Sequence, residues 1–135
     1  MLSTRLAVPQ KNKVLFVDDT KMVQNIYKSK LMSEGYHVKT ADNGVEAIKA
    51  LTEDKEWKPD VILLDLIMPV MDGFKVLQTI KTNPDFSSIP VIVFSSRGQA
   101  EEIEKAVNLG ADGYLVKTTT TPNEVVKKVK EILIK

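Results

Sequence analysis

The sequence predicts an α/β protein: one five-stranded parallel sheet, doubly wound with helices on both faces, in the strand order 2-1-3-4-5. Three observations carry that prediction. Short apolar runs alternate with helical periodicities five times along the chain. Three of the runs are apolar at every position, as strands covered on both faces must be. The remaining two are weaker, which suits the edges of a sheet.

The first strand is read at Val14–Val17. A helix follows Asp19-Thr20, a pair able to cap, with Met22, Val23, Ile26, Tyr27 and Leu31 at helical spacing. Tyr36–Thr40 alternates and is read as an edge strand. Val45, Ile48 and Leu51 mark the second helix, after Asp42-Asn43. Val61–Leu64 is the third strand. Phe74, Leu77 and Ile80 mark the third helix, opened by Asp72-Gly73 and stopped by Asn83-Pro84. Val91–Phe94 is the fourth strand, and Ile103, Ala106 and Val107 mark the fourth helix, which runs out at Gly110. Tyr114–Val116 is a short fifth strand. The last helix opens on Thr121-Pro-Asn-Glu124, a capping box with proline at its first position. Parallel strands joined through helices cross over right-handed. With the two weak strands outermost, a crevice opens between strands 1 and 3 at their carboxyl ends.

Composition narrows the function. At 135 residues the prior is one domain, with residues 1–12 a loose tail and 13–135 the folded unit. Lys plus Arg is 19 and Asp plus Glu is 18, a balance that argues against a bulk electrostatic grip on nucleic acid or membrane. No cysteine excludes disulfides, thiol nucleophiles and Cys-based metal sites. The one histidine, His37, lies on the alternating edge strand and leaves no multi-His metal site. No apolar run is long enough to span a bilayer, and the N-terminus is a poor secretory signal, so a reducing cytoplasm is the expected location.

The chemistry stands where strands end. Asp18-Asp19 follows strand 1, Asp65 strand 3, Ser95-Ser96 strand 4 and Lys117 strand 5. Strands 1 and 3 are neighbours, so three carboxylates share one crevice. At about 4 Å and an effective dielectric near 20, each pair repels by about 4 kcal/mol. A retained proton, a bound cation or an inward lysine relieves this. Carboxylate oxygens with room for water suit magnesium. A carboxylate, a divalent ion, a lysine and a hydroxyl together suit phosphoryl transfer to the carboxylate. Any one of these residues alone is more often a cap, a turn residue or a solvated charge. Their coincidence on four strand ends favours function.

The stretches VLFVDDT (14–20), GYHVKTADNGVEAI (35–48), PDVILLDLIMPVMDG (59–73), IPVIVFSS (89–96) and GADGYLVK (110–117) resemble the receiver domain of two-component response regulators. This is the chemotaxis-regulator type of the flavodoxin-like (βα)5 fold, itself a standard example of the strand order above. The resemblance implies roles. Asp65 is the phosphoacceptor. Asp18, Asp19, Asp65 and the backbone carbonyl of Ile67 hold Mg2+ or another divalent ion such as Mn2+. Lys117 pairs with the phosphoryl group, Ser95 is the hydroxyl that senses it, and Tyr114 is an aromatic that moves inward with Ser95. The implied protein is a regulatory switch rather than an enzyme with a turnover substrate. A sensor histidine kinase or histidine phosphotransfer protein donates the phosphoryl group, and a downstream protein target reads the surface of helix 4, strand 5 and helix 5. No direct nucleic-acid or membrane partner is implied. Homodimer formation on phosphorylation, and whether the receiver acts alone or within a longer protein, are left open.

The chain departs from the family pattern in three places. Thr118 follows Lys117 where proline is usual, so the conformation of that bond is open. Ile67, two residues past Asp65, offers no polar side chain to position water, which predicts slow hydrolysis of the acyl phosphate. Arg97 stands on the rim and is read as a solvated charge in preference to an anion contact. Two enzyme or cofactor readings compete. A haloacid-dehalogenase-type phosphohydrolase needs Asp-x-Asp after strand 1, and the chain has Asp18-Asp19-Thr20. A flavodoxin-like flavin binder needs a hydroxyl- and glycine-rich phosphate loop there, where Asp18 and Asp19 would repel phosphate. A receiver-like module that is never phosphorylated is disfavoured by the full set of residues.

Overall fold

The computed structural model describes residues 11–134. Residues 1–10 of the expected N-terminal tail, and Lys135, lie outside the described residues. Five parallel strands form one sheet in the order β2-β1-β3-β4-β5. They are β1 (Lys13–Val17), β2 (His37–Ala41), β3 (Val61–Leu64), β4 (Val91–Ser95) and β5 (Gly113–Val116). The helices between them are α1 (Lys21–Ser33), α2 (Gly44–Glu53), α3 (Gly73–Thr82), α4 (Ala100–Asn108) and α5 (Pro122–Leu133). A short 3-10 turn, Lys117–Thr119, joins β5 to α5.

Alternate residues of the central strands feed two cores. Leu15, Val17, Ile62, Leu64, Val91 and Val93 face one side, with Ala47 and Leu51 of α2, Val76, Leu77 and Ile80 of α3, and Ala106 of α4. Val14, Phe16, Val61, Leu63, Ile92 and Phe94 face the other, with Tyr27 and Leu31 of α1 and Val125, Val126 and Val129 of α5. Phe16 stacks on Tyr27 at 5.5 Å, and Tyr27 meets Phe94 edge-on at 5.0 Å. Burial on both faces is the reason these strands read as unbroken apolar runs. The edge strands are partly exposed, β5 along its whole length.

Of the four helix starts for which the sequence offers a cap, three are capped as expected. Asn43 accepts from the Glu46 N–H, Asp72 from the Phe74 N–H, and Thr121 and Glu124 form a reciprocal capping box. Thr20 occupies the N-cap of α1 but its side chain makes no capping bond; its N–H donates to Asp18 Oδ1 instead (2.9 Å). The expected apolar stripe of α1 is also displaced. Met22 is 70% exposed and Ile26 48%, while Gln24, Tyr27 and Leu31 are buried. Val45 and Val107 likewise face outward. Strand β2 runs one residue later than its alternation suggested, because Ala41 pairs with Val17 at the strand end. Among the described residues no helix is long and apolar enough to cross a membrane.

Candidate phosphoacceptor site

The register of the sheet assembles the site. Val17 pairs with Leu64, so Asp18 and Asp65 leave the sheet side by side. Their backbones continue the ladder for one more rung: Asp18 N–H donates to the Ala41 carbonyl (3.1 Å) and Asp65 N–H to the Val17 carbonyl (3.0 Å). Ser95 pairs with Val116, which places Lys117 at the same rim. Each carboxyl end thus presents its polar residue where the apolar run stops.

Asp18 and Asp65 are buried and Asp19 is exposed. One carboxylate oxygen from each of the three lies within 4.8 Å of the others. Lys117 Nζ reaches between the two buried carboxylates, donating to Asp18 Oδ2 (2.5 Å) and Asp65 Oδ2 (3.3 Å). The other oxygen of Asp65 accepts from the Ile67 N–H (3.1 Å). Burial pushes the Asp65 carboxyl above its ordinary range, and the Ile67 N–H and Lys117 only partly offset that push. Burial alone would lower the Lys117 pKa, but its bond to Asp18 and the charges of Asp65 and Asp18 outweigh it and leave the ammonium more firmly protonated. One ammonium against three carboxylates leaves the site short of positive charge. An all-oxygen donor set with that deficit fits a hard divalent cation of the magnesium or manganese kind.

Ser95 is fully buried at the end of β4, and its Oγ accepts from the Arg97 N–H (3.2 Å) rather than meeting Asp65 or Lys117. Tyr114 is half-buried on β5, and its hydroxyl donates to the Arg97 carbonyl (2.5 Å). The hydroxyl and the aromatic are therefore linked through one residue's backbone. Burial, then the charge of Glu102, raises the Tyr114 pKa. The Arg97 guanidinium itself pairs with Glu102 (3.4 Å) on the exposed side, in keeping with the solvated-charge reading. His37 is exposed at the opposite end of the sheet, where β2 begins. No peptide bond among the described residues is cis, so Lys117–Thr118 is trans.

Three features of the site escape the sequence reading. Gln24 is buried beneath the acidic loop and bonds the Asp18 carbonyl (2.5 Å) and Asp42 Oδ1 (2.8 Å). Its signal was its spacing, three residues before Tyr27 and seven before Leu31, on the buried stripe of α1. Gly73 lies against the Asp65-Leu66 backbone: a Cβ there would sit 2.4 Å from Leu66 Cα and 2.6 Å from the Asp65 carbonyl oxygen. Val70 takes a positive φ of 74°, uncommon for a β-branched residue, and the Met71 N–H turns back to the Pro69 carbonyl (2.8 Å) across it.

Residues 14–130 match the response regulator receiver domain family. The chemotaxis protein CheY of Halobacterium salinarum is 36% identical over 121 residues, covering 89% of this chain and 95% of that protein. The chain spans about half the length of the curated transcriptional regulators among its relatives. Among solved structures, the phosphorylated cyanobacterial phytochrome response regulator RcpA superposes with a TM-score of 0.81 at 29% identity, covering 94% of this chain and 96% of that one. The Mn2+-bound form of response regulator Rcp1 superposes with a TM-score of 0.76 at 28% identity, covering 90% of this chain and 91% of that one. With the profile matched across most of its length and the acidic crevice assembled at the strand ends, this chain belongs to the response regulator receiver domain family of two-component signalling.

Proposed function

We propose that this receiver is switched by a phosphoryl group carried on Asp65, delivered from a phosphohistidine of a sensor histidine kinase or a histidine phosphotransfer protein in the cytoplasm. The observation that carries this reading is the buried Asp65 carboxylate, bonded by Lys117 and within 4.8 Å of two further carboxylates. An Asp65 oxygen attacks phosphorus. The P–N bond of the donor breaks, its electron pair returns to the imidazole nitrogen, and an acyl phosphate forms. Asp18, Asp19, Asp65 and the Ile67 backbone carbonyl would hold Mg2+, or Mn2+ in its place. When bound, that ion neutralises charge on the transferring phosphoryl oxygens. The Lys117 ammonium is already at the Asp65 carboxylate and pairs with the phosphoryl group that Asp65 gains.

The readout runs through Ser95 and Tyr114. The added phosphoryl group brings further negative charge and strong acceptor oxygens. A Ser95 hydroxyl drawn to it leaves the Arg97 N–H, and the carbonyl of the same residue is what anchors the Tyr114 hydroxyl. Tyr114 then packs inward, and the α4–β5–α5 surface changes shape for a downstream protein target. The test is intact mass after incubation with acetyl phosphate and Mg2+. One phosphoryl group should be gained, only with the metal, and not by Asp65→Asn. A folded wild-type protein that gains none from acetyl phosphate or phosphoramidate overturns the reading.

A further inference from the structure

We propose that Gln24 is a positioning residue for the acidic pair: its buried amide locks the Asp18–Asp19 peptide and so sets where the Asp19 carboxylate points. The inference rests on the divalent-ion reading of the site given above.

Gln24 stands in the first turns of α1 and is 2% exposed. Its Nε2 donates to the Asp18 carbonyl (2.5 Å), to Asp42 Oδ1 (2.8 Å) and, at longer range, to the Ala41 carbonyl (3.4 Å). All three partners are acceptors, so the amide has one workable orientation; flipped, its oxygen would face three oxygens. The Ala41 carbonyl also receives the Asp18 N–H. The Asp18 backbone is thus held at both ends, by the sheet at its N–H and by Gln24 at its carbonyl. Asp42, the third partner, is itself held by Lys21 (2.8 Å). The clamp therefore ties α1 to the loops after β1 and β2.

The two aspartates depend on it differently. The Asp18 carboxylate has anchors of its own in the Thr20 N–H and Lys117. Asp19 is exposed, and its carboxylate has no hydrogen-bond or ion-pair partner among the described residues. Its place beside Asp18 and Asp65 therefore follows from its own rotamer and from the backbone that carries it, and the peptide plane that Gln24 fixes is the one that leads into the Asp19 Cα. Partners behind the direct ligands typically change metal affinity 10- to 100-fold when removed.

The probe is Mn2+ alone, titrated by electron paramagnetic resonance of the free ion, with folding checked separately by urea denaturation. Gln24→Met, which keeps the length and loses the donors, should weaken Mn2+ binding by about 10-fold or more. Asp19→Asn should weaken it too. Added to Asp19→Asn, Gln24→Met should cost less than about threefold more, because the group it positions has already lost its charge. Wild-type affinity in a folded Gln24→Met protein overturns the inference and leaves the metal reading standing. So does an equal loss with and without Asp19→Asn. A wild-type protein that binds no Mn2+ overturns both. If Gln24→Met does not fold, Gln24→Asn, one methylene too short to reach the Asp18 carbonyl, takes its place with the same expected outcome.

Discussion

Replacing Asp65 with Asn removes a charge and almost no volume, and should stabilise the metal-free protein. The Asp65 side chain is only 6% exposed, and an oxygen of each of Asp18 and Asp19 lies within 4.8 Å of one of its own. At an effective dielectric near 20, the repulsion from buried Asp18 at that distance costs about 3.5 kcal/mol, while exposed Asp19 is largely screened by solvent. The attraction to Lys117 at 3.3 Å returns about 5 kcal/mol on the same scale. These two charge terms alone slightly favour the ionised form, but burial of the carboxylate, the largest cause of its raised pKa, outweighs them, and Asn should gain about 2 kcal/mol, within the usual penalty for desolvating a buried polar group. For a chain of this size the gain corresponds to roughly 8 °C in Tm. The pH dependence fixes the sign. Burial raises the Asp65 pKa in the folded state, so folding takes up a proton near that group. The contribution of Asp65 is fully present below its unfolded value of about 3.9 and is lost as pH rises through the raised folded value. The advantage of Asn should therefore be near zero in acid and reach its plateau above the raised value. The assay is thermal and urea unfolding of both proteins in chelator-treated buffer across pH. An Asn variant no more stable than wild type at pH 7.5, or an advantage that does not vary with pH, refutes the reasoning. Adding Mg2+ should narrow the gap, since the wild type offers the ion one more carboxylate.

Four further outcomes are expected. Val70→Gly should stabilise by about 1 kcal/mol in urea unfolding, because Val70 holds a positive φ and, at 76% exposed, has little packing to lose. Gly73→Ala should destabilise by about 1–3 kcal/mol and weaken phosphorylation in the intact-mass assay, because its Cβ would displace the Asp65-Leu66 backbone rather than a side chain. Thr121→Ala should cost about 1 kcal/mol of stability by opening the capping box of α5. Ile67→Asn should shorten the lifetime of the acyl phosphate, followed by the decay of the phosphorylated mass, since it places an amide able to hold water two residues beyond Asp65; an unchanged lifetime rules out Ile67 as the cause of slow hydrolysis.

Much of the architecture is legible in the residues alone. A strand covered on both faces has no wet position, so Val61–Leu64 declares itself without a partner in view. The local punctuation is equally plain: Asn43, Asp72 and Thr121 cap the helices they precede, because a cap needs only its own side chain and the N–H groups two or three residues on. Thr20 shows the limit of that locality: it takes the N-cap of α1, yet its hydroxyl makes no capping bond and its N–H donates to Asp18. The outward Met22 and Ile26 show the limit of periodicity. Several stripes of α1 are apolar enough to face the core, and only packing against Phe16 and Phe94 selects the one through Tyr27 and Leu31.

The fold class, the two edge strands and the polar residues at the strand ends are written in the residues, because these follow from burial pattern and from where each apolar run stops; the full strand order came with the family resemblance. How those residues meet depends on the folded register. The pairing of Val17 with Leu64 brings Asp18 level with Asp65, and Lys117 arrives from the far side of β4 to bond both. The partnership of Gln24 with the Asp18 carbonyl, the seat of Gly73 on the Asp65-Leu66 backbone and the Arg97 backbone between Ser95 and Tyr114 are likewise invisible in one dimension. Each depends on backbone atoms that every residue carries, and only the folded register says which of them come within hydrogen-bonding or contact distance.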